Sequence, residues 1–342
     1  MKDSLRDWVP RWWAGDTGRS GRIADVILWP AEGLFGAGVW SRNKAYDLGL
    51  FRAEAAPLPV ISVGNIGVGG AGKTPVAAWL VALLASKGRR PAVVLRGYGA
   101  DEIAVHRELN PAAPVITASR RLAGAYEAAE RGCDVIVLDD AFQHRAIRRD
   151  LDLVLVSAEQ WSGNRRLLPR GPWRERATAL RRADVVMVTR KTVAEQAARQ
   201  VAEELADLSG RSVVGCHIQP TSLTSLAEPA GEALPLSALN GSIVVAVTSL
   251  ADPRPFVQQL AAAGARVELI SYPDHHPFSM ADAHKIYGVA GNRPIVMTRK
   301  EAVKLRGVLP ACEALVLNQS VKIEMGRSDL DRAISHALER DD

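Results

Sequence analysis

The chain has 342 residues, of which 47% are hydrophobic, and a formal net charge of +5. This length allows a large buried core and two domains, and the composition excludes a disordered or fibrous protein. The three cysteines are widely separated and form no CxxC pair, so the sequence indicates neither a disulfide framework nor a zinc site and favours a reducing compartment.

The first forty residues hold five of the eight tryptophans: Trp8, Trp12, Trp13, Trp29 and Trp40. We expect no signal peptide, and the apolar stretch 23–40 is interrupted by charges and a proline and is too short to span a bilayer. Tryptophan at the lipid boundary with neighbouring arginines is typical of an interfacial helix. The alternative is that these aromatic side chains pack onto the folded body, and the residues leave both open.

A phosphate-binding loop is predicted directly after the apolar run 59–63. The motif GVGGAGKT satisfies GxxxxGKT and comprises Gly67, Val68, Gly69, Gly70, Ala71, Gly72, Lys73 and Thr74. A strand, a glycine turn and a helix start in this order form a cradle for polyphosphate. Lys73 would neutralise the phosphates and the Thr74 hydroxyl would ligate Mg²⁺. The motif therefore predicts ATP or another nucleoside triphosphate as a ligand.

Strand and helix patterns alternate along the rest of the chain. Short apolar strands separated by helices predict an α/β fold with a mainly parallel sheet of the P-loop NTPase type, covered by helices on both faces. The first set of strands is predicted at 59–63, 91–95, 114–117, 134–138, 152–156 and 184–188, with helices at 74–87, 119–131, 174–182 and 192–207. After a linker at 221–240, a second, smaller α/β domain is predicted, with strands near 242–247, 265–270, 294–298 and 314–317 and a helix at 328–339.

Asp139 and Asp140 end the apolar run 135–138. In a phosphate-loop enzyme, a carboxylate at the tip of a neighbouring strand reaches the Mg²⁺ held by the loop threonine. Adjacent side chains of an extended strand point to opposite sides, so we expect only one of the two acids to face the metal. Gln143 and His144 follow closely and could reach the same cleft.

Two further segments could supply a base. Asp101 and Glu102 follow a glycine-bearing loop at the end of the second strand, and His275 lies in the segment Asp-His-His-Pro that follows a strand of the second domain. Taken alone, each is more often an ordinary polar loop. Transfer of a phosphoryl group to an alcohol needs a proton acceptor, and a carboxylate paired with an imidazole would serve.

An arginine cluster spans residues 165–182, with seven arginines and one acid, Glu175. Such a cluster could meet a phosphorylated substrate or a membrane surface, or it could be a solvated helix face. No nucleic-acid reading motif accompanies it, so we expect no nucleic-acid partner.

Seven segments in this order resemble one family: SVGNIGVGGAGKTP, LRGYG, ADE, VIVLDDAFQH, LLPRGPWRE, YPDHHPF and MTRKEAVKL. They are similar to tetraacyldisaccharide 4'-kinase, the lipid A 4'-kinase of Gram-negative bacteria, over about residues 24–325. The resemblance implies phosphorylation, dependent on ATP and Mg²⁺, of the 4'-hydroxyl of a tetraacylated glucosamine disaccharide 1-phosphate. It also implies two α/β/α domains and an amphipathic N-terminus at the cytoplasmic face of the inner membrane.

The resemblance also implies roles for single residues. Asp101 and His275 match the family's catalytic dyad, with Asp101 expected to take the proton and His275 to support it. Lys73 and Thr74 match its phosphate-loop pair, and Asp139 and Asp140 its metal-associated acids. Four residues are expected near the disaccharide or its 1-phosphate: Arg174, Glu175, Gln143 and His144. The sequence departs from the family pattern where ADEI replaces GDEP after a shortened loop and where DDAFQH carries alanine instead of glycine.

With an acylated substrate, interfacial tryptophans gain a purpose, so we interpret residues 1–52 as a membrane-associating segment and 53–220 as the ATP-binding domain. The second domain, 241–342, is expected to complete the cleft, and the protein to act as a peripheral monomer. Two rivals remain: an NTPase switch or chaperone that binds a protein, and a cytosolic small-molecule kinase. A guanine-specific switch should carry an NKxD-like run, and the segment 189–192, Thr-Arg-Lys-Thr, lacks its aspartate.

Overall fold

The structure is a computed structural model in which residues 5–97, 99–310 and 312–339 are described. Its α-helices are α1 (Leu5–Trp13), α2 (Gly18–Ile27), α3 (Trp29–Asp47), α4 (Lys73–Ser86), α5 (Ala100–Leu109), α6 (Arg121–Glu130), α7 (Ala158–Trp161), α8 (Glu195–Ser209), α9 (Arg254–Ala262), α10 (Met280–Ala290), α11 (Arg299–Leu305) and α12 (Arg327–Leu338). Its strands are β1 (Val60–Asn65), β2 (Pro91–Leu95), β3 (Val115–Thr117), β4 (Val135–Asp139), β5 (Leu151–Ser157), β6 (Val185–Arg190), β7 (Ser212–Ser225), β8 (Ile243–Thr248), β9 (Arg266–Ser271), β10 (Ile295–Thr298) and β11 (Ala314–Met325). The predicted α/β class with a largely parallel sheet is confirmed.

The described residues divide into two compact units. The first unit takes its residues from 1–97, 110–217 and 323–342, and the second from 98–109 and 218–322. Two of the four boundaries fall inside β7 and β11, and the other two enclose residues 98–109.

In the first unit the strand order is β3-β2-β4-β1-β5-β6-β7, and the pairs from β3 to β7 are parallel. Every residue of β1, β2, β4 and β5 is buried, as the near-continuous apolar runs of these strands require in a sheet covered on both faces. Val63 of β1 is in register with Asp139 of β4. This register brings the loop after β1 beside the carboxyl end of β4.

In the second unit the order is β11-β10-β8-β9, again with parallel pairs. Helix α5 belongs to this unit, although the chain up to residue 97 and again from residue 110 belongs to the first. Glu108 near the end of α5 bonds to Arg299 at 3.2 Å and also to Arg306, which lie on and just after α11. These two bridges fasten α5 to the second unit.

Helices α1 to α3 form the N-terminal part of the first unit. Among the described residues no single helix is long and apolar enough to cross a membrane. Helices α2 and α3, bent by 52° at their junction, have the length and composition of a membrane span only when they are taken together. The tryptophans of this region differ in burial. Trp12 is buried, whereas Trp29 and Trp40 are 65% and 67% exposed.

Three details differ from the expectations. The linker predicted at 221–240 begins inside β7, which extends to residue 225 because this strand continues from the first unit into the second. The helix predicted at 174–182 is reduced to a 3₁₀ turn, Ala177–Arg182. The unit boundaries also lie elsewhere than the predicted domain limits, since α12 groups with the first unit and 98–109 with the second.

Candidate active site

The phosphate loop connects β1 to α4, as predicted. Gly70 and Gly72 have φ angles of 70° and 78°, in the left-handed region that favours glycine. Gly72 is the residue before the first turn of α4, whose backbone N–H groups have no partner inside the helix. Backbone donors and the helix dipole together form a site that attracts phosphate.

Lys73 and Thr74 open α4 and face different partners. The Lys73 Nζ donates to Asn65 Oδ1 at 3.3 Å and lies 3.6 Å from an Asp140 oxygen. The Thr74 hydroxyl donates to Asp139 Oδ2 at 3.2 Å. The lysine charge and the threonine hydroxyl are therefore held at the loop before any ligand arrives.

The adjacent acids at the end of β4 have separate surroundings. Asp139 is buried beside Thr74, whereas Asp140 has a φ of 53°, rare for a residue other than glycine. The guanidinium of Arg174 donates to both Asp140 oxygens, at 2.8 and 3.0 Å. Burial raises the pKa of Asp140, but the charges of Lys73 and Arg174 outweigh it and leave the pKa below its usual value. Asp140 is thus ionised and paired with two cations.

Two other predicted residues surround this group. Gln143 donates to the Asn65 carbonyl at 2.9 Å and accepts a long bond from Arg174 at 3.4 Å. Burial and then the positive charge of Arg121 lower the pKa of His144, so its imidazole is neutral at physiological pH. Gln143 thus joins Asp140 and Arg174 in one polar group, whereas the charges nearest His144 are those of Arg121, Arg149 and Arg96.

Glu175 has a different environment from the one expected for a substrate ligand. Its carboxylate is 1% exposed, accepts bonds from Arg182 at 2.9 and 3.1 Å, and accepts one from Asn43 of α3 at 2.7 Å. These contacts anchor α3 to the rest of the first unit. Its backbone N–H donates to the carbonyl of Ile66, directly before the phosphate loop, at 3.2 Å, while its carboxylate is held by Arg182 and Asn43.

Sequence reasoning did not select Arg121 or Asn65. The guanidinium of Arg121 is nearly fully buried and donates to the Ala118 carbonyl at 3.0 Å. Burial, followed by the nearby charge of Arg96, lowers its pKa. The available signal was an arginine pair just after β3, on the edge where parallel strands end and α/β ligand sites form.

The second unit brings Asp101 and His275 together across 174 positions of sequence. The His275 Nδ1 lies 3.2 and 3.1 Å from the two oxygens of Asp101, which is buried in the first turn of α5. His275 is itself in the left-handed region, with a φ of 57°. Such backbone strain is stored where the surrounding structure enforces it and is common at functional sites.

The hydrogen bond between Asp101 and His275 favours the charged form of both side chains. Burial raises the pKa of Asp101, but the hydrogen bond with His275 and the charges of Lys300 and Lys304 lower it overall to about 2. The same hydrogen bond raises the pKa of His275. The carboxylate is therefore ionised throughout the neutral range, with a histidine that holds its proton more tightly than usual.

Lys300 and Lys304 were not selected from sequence, although both lie in the segment MTRKEAVKL. Lys304 Nζ donates to Ser249 Oγ at 2.8 Å and lies 3.6 Å from an Asp101 oxygen. Lys300 bonds to Asp274 at 2.7 Å and lies 3.9 Å from Asp101. Only tertiary packing of α11 brings these lysines to the carboxylate.

The side-chain donors of the described residues decide whether they could hold a metal ion. They contain no group of three or more His, Cys, Asp or Glu able to hold a metal alone. Mg²⁺ commonly binds through one or two protein oxygens, with phosphates and waters completing its octahedron. Thr74 and Asp139, whose oxygens lie 3.2 Å apart, fit that requirement.

The chain is similar to known proteins of one family. A model of the family described as tetraacyldisaccharide-1-P 4'-kinase matches residues 24–339. Among curated relatives, the tetraacyldisaccharide 4'-kinase of Anaeromyxobacter sp. (strain K) is 38% identical, over 96% of this chain and 94% of its own. The tetraacyldisaccharide 4'-kinase of Halorhodospira halophila is 36% identical, over 97% of both chains.

A solved structure has the same fold. LpxK from Aquifex aeolicus, described as an "apo" form in complex with ATP, matches with a TM-score of 0.72 and 27% identity, over 92% of this chain and 99% of that one. The family match covers most of the chain, and the curated relatives exceed 35% identity across nearly their full length. The chain belongs to the tetraacyldisaccharide-1-phosphate 4'-kinase family.

Proposed function

We propose that this protein transfers the γ-phosphoryl group of ATP to the 4'-hydroxyl of tetraacyldisaccharide 1-phosphate, a step of lipid A biosynthesis. Membership of the kinase family across residues 24–339 carries this proposal. It is supported by a phosphate loop in which Lys73 and Thr74 are already ordered beside Asp139 and Asp140. The acceptor is an alcohol, so the reaction needs phosphate binding, charge neutralisation and removal of one proton.

In this proposal the first unit holds the triphosphate. The loop glycines Gly69, Gly70 and Gly72 donate backbone N–H groups to phosphate oxygens, and Lys73 neutralises the phosphate charge. Thr74 and Asp139 would hold Mg²⁺, which supplies further neutralisation of charge on the phosphates. Asp140, which is paired with Lys73 and Arg174, supports this site by orienting the two cations.

In the second unit, Asp101 takes the proton from the 4'-hydroxyl. Its pKa of about 2 makes it a weak base toward a free alcohol. Phosphoryl transfer proceeds through a loose transition state, however, in which the acceptor proton becomes acidic late, so a positioned carboxylate suffices. His275 holds the carboxylate in place through its Nδ1 and stabilises its ionised form.

The lipid substrate carries negative charge on its 1-phosphate. Arg174 offers a guanidinium beside Asp140 and Gln143, and such groups bind sugar hydroxyls and phosphate. His144, with its neutral imidazole, is proposed to contribute a further polar group to the substrate. Glu175 contributes indirectly, because its buried carboxylate anchors α3 and Arg182. We therefore assign Glu175 a structural role in place of the substrate contact that its sequence position suggested.

A bilayer surface is the proposed location, at the cytoplasmic face of the inner membrane. Large apolar side chains of α2, α3 and the residues just after α3 are more than half exposed, among them Val26, Ile27, Trp29, Leu34, Trp40, Leu48 and Leu50. A concentration of such residues on one N-terminal region is typical of membrane contact. Acyl chains of the substrate would remain in the lipid while its sugar enters the site.

The test compares two acceptors with the same purified protein and Mg·ATP. Tetraacyldisaccharide 1-phosphate in mixed micelles should be phosphorylated much faster than the fully deacylated disaccharide phosphate. Equal turnover of both would identify a kinase for soluble small molecules, and ATP hydrolysis without either product would indicate an NTPase switch.

A further inference from the structure

The segment 189–193, at the end of β6, is where an NTPase switch would read guanine, but here it turns toward the phosphate loop. The Thr189 hydroxyl donates to the Ala71 carbonyl at 3.0 Å. The Lys191 Nζ donates to the Gly70 carbonyl at 3.0 Å. Two successive carbonyls of the loop are therefore bound by one segment of a neighbouring strand end.

This segment is itself held by a partly buried acid. Glu159, in α7, accepts backbone N–H bonds from Lys191 at 2.5 Å and Thr192 at 3.0 Å, and a hydroxyl bond from Ser157 at 2.9 Å. Burial raises the pKa of Glu159, but the backbone donors outweigh it and leave the pKa below its usual value. The ionised carboxylate therefore fixes the backbone of Lys191, and with it the start of the lysine side chain.

Helix α7 is rigidly placed. Trp161 at its end is buried and stacked on Trp173 with ring centroids 5.8 Å apart, and its indole N–H donates to Glu204 at 2.6 Å. Gln160 of the same helix packs on the loop so closely that a Cβ at Gly70 would lie 2.1 Å from its Nε2. One side of the phosphate loop is thus covered by α7 and the segment after β6.

Peptide geometry turns these contacts into a property of the loop. The C=O and N–H of a trans peptide point in opposite directions within one plane. When Thr189 fixes the carbonyl of Ala71, the N–H of Gly72 in the same peptide is fixed on the opposite side of the loop. Without these contacts a glycine-rich loop would be flexible, and it would lose conformational entropy when it binds phosphate.

We propose that Lys191 and Thr189, held by Glu159, are positioning residues that keep the phosphate loop in its nucleotide-binding conformation before ATP arrives. They act through the carbonyls of Gly70 and Ala71 rather than through contact with phosphate. The inference rests on the proposed function only in that the loop binds ATP. It is read out by nucleotide affinity, which requires no lipid.

The test measures the affinity of Lys191→Met and Thr189→Val for Mg·ATP and Mg·ADP by calorimetry. Loss of the Lys191 contact should weaken binding by about tenfold, the size of a hydrogen bond with a charged partner, and loss of the neutral Thr189 contact should weaken it by a smaller factor. The loss should be the same for ATP and ADP, because the loop conformation is disturbed and no γ-phosphate contact is removed. At saturating ATP and lipid, kcat should stay within about twofold of the wild type.

Lys87→Met is the matched control, since Lys87 makes an exposed ion pair with Asp331 at 3.5 Å. It should bind both nucleotides as the wild type does. Unchanged affinity of Lys191→Met, or a loss confined to ATP, would overturn the proposal, the latter because it would mean direct contact with the γ-phosphate. Failure of the proposed function would appear separately, as wild-type protein that binds ATP but leaves the lipid unmodified.

Hydrogen exchange of the wild-type protein without nucleotide covers the case in which a variant does not fold. The Ala71 amide, which donates to the Gly69 carbonyl at 2.9 Å, should exchange slowly, since a braced loop opens rarely. Exchange of this amide at the rate of an unstructured peptide would contradict the proposal. In a folded Thr189→Val protein the Ala71 amide should exchange faster, while the amides of β5 should not change.

Discussion

The two units of this protein each surround a carboxylate with cations, but in different settings. In the first unit one carboxylate, Asp140, is contacted by two cations, Lys73 and Arg174. In the second unit one carboxylate, Asp101, is within 4 Å of a histidine and two lysines. The first arrangement suits a site that must release its cations to an incoming polyanion. The second suits a carboxylate that must stay ionised although it is buried.

The largest effect is expected when the phosphate-binding charge is removed from the first unit. Lys73→Ala should lower kcat/KM by about 10³-fold, because preorganised charge at the transferring phosphoryl group is lost. The thermal midpoint without ATP should change little, since the lysine is replaced at a partly exposed polar site. A variant that retained more than a tenth of wild-type activity would remove Lys73 from the mechanism.

Removing the carboxylate of the second unit should separate proton acceptance from nucleotide binding. Asp101→Asn keeps the side-chain shape but cannot accept the proton, so kcat should fall by about 10²- to 10⁴-fold. Affinity for ATP, measured by calorimetry, should stay near the wild-type value, because the phosphate loop lies in the first unit. Unchanged turnover would show that another group accepts the proton.

The protonation of His275 provides a sharper probe of the same pair. Its pKa is raised by Asp101, so in an NMR titration the wild-type imidazole should titrate above 6.5. In Asp101→Asn the pKa should fall toward 6.5. An identical titration in both proteins would mean that the hydrogen bond is not formed in solution.

The raised pKa of His275 makes the free energy of unfolding depend on pH. A histidine with a raised pKa adds stability that is fully present below about pH 6.5 and is lost as the pH rises through its folded value. Asp101, with a pKa lowered to about 2 from 3.8, adds stability above pH 3.8 that is lost as the pH falls toward 2. Denaturant unfolding across pH 5–9 should therefore show a decline for the wild type that His275→Gln lacks.

The smallest effect is expected at the surface of α2 and α3. The double change Trp29→Ser and Trp40→Ser removes two exposed aromatic side chains and should weaken binding to anionic vesicles by several-fold to about a hundredfold. ATP affinity should not change. Tyr126→Ser, at an aromatic residue of α6 that is 53% exposed, is the control. Equal vesicle binding by all three proteins would contradict a membrane role for these helices.

Local patterns in the sequence predicted the first unit well. The strands and the phosphate loop are contiguous signals, because an apolar run followed by glycines, lysine and threonine carries its own geometry. Helix α5 was not predicted, since the glycines before residue 100 suggested a loop, and neither was β7. The burial of Trp12 and the exposure of Trp29 could not be distinguished either, because the same residue type suits a core and a lipid surface.

The side-chain contacts of the second unit could not be predicted from local sequence patterns. The pairing of Asp101 with His275 came from family resemblance, since no local pattern joins residues so far apart in the chain. The structure brings the two side chains within 3.2 Å, while their catalytic roles remain proposals. Lys300 and Lys304 were missed because their relation to Asp101 arises only when α11 packs beside α5.

The most direct measurement of the central claim is identification of the reaction product. Purified protein, Mg·ATP and tetraacyldisaccharide 1-phosphate would be incubated, and the lipid examined by two-dimensional ¹H–³¹P NMR. We expect a second phosphate monoester coupled to the proton at position 4' of the distal sugar. A phosphate at any other position, or ADP and inorganic phosphate with unmodified lipid, would contradict it.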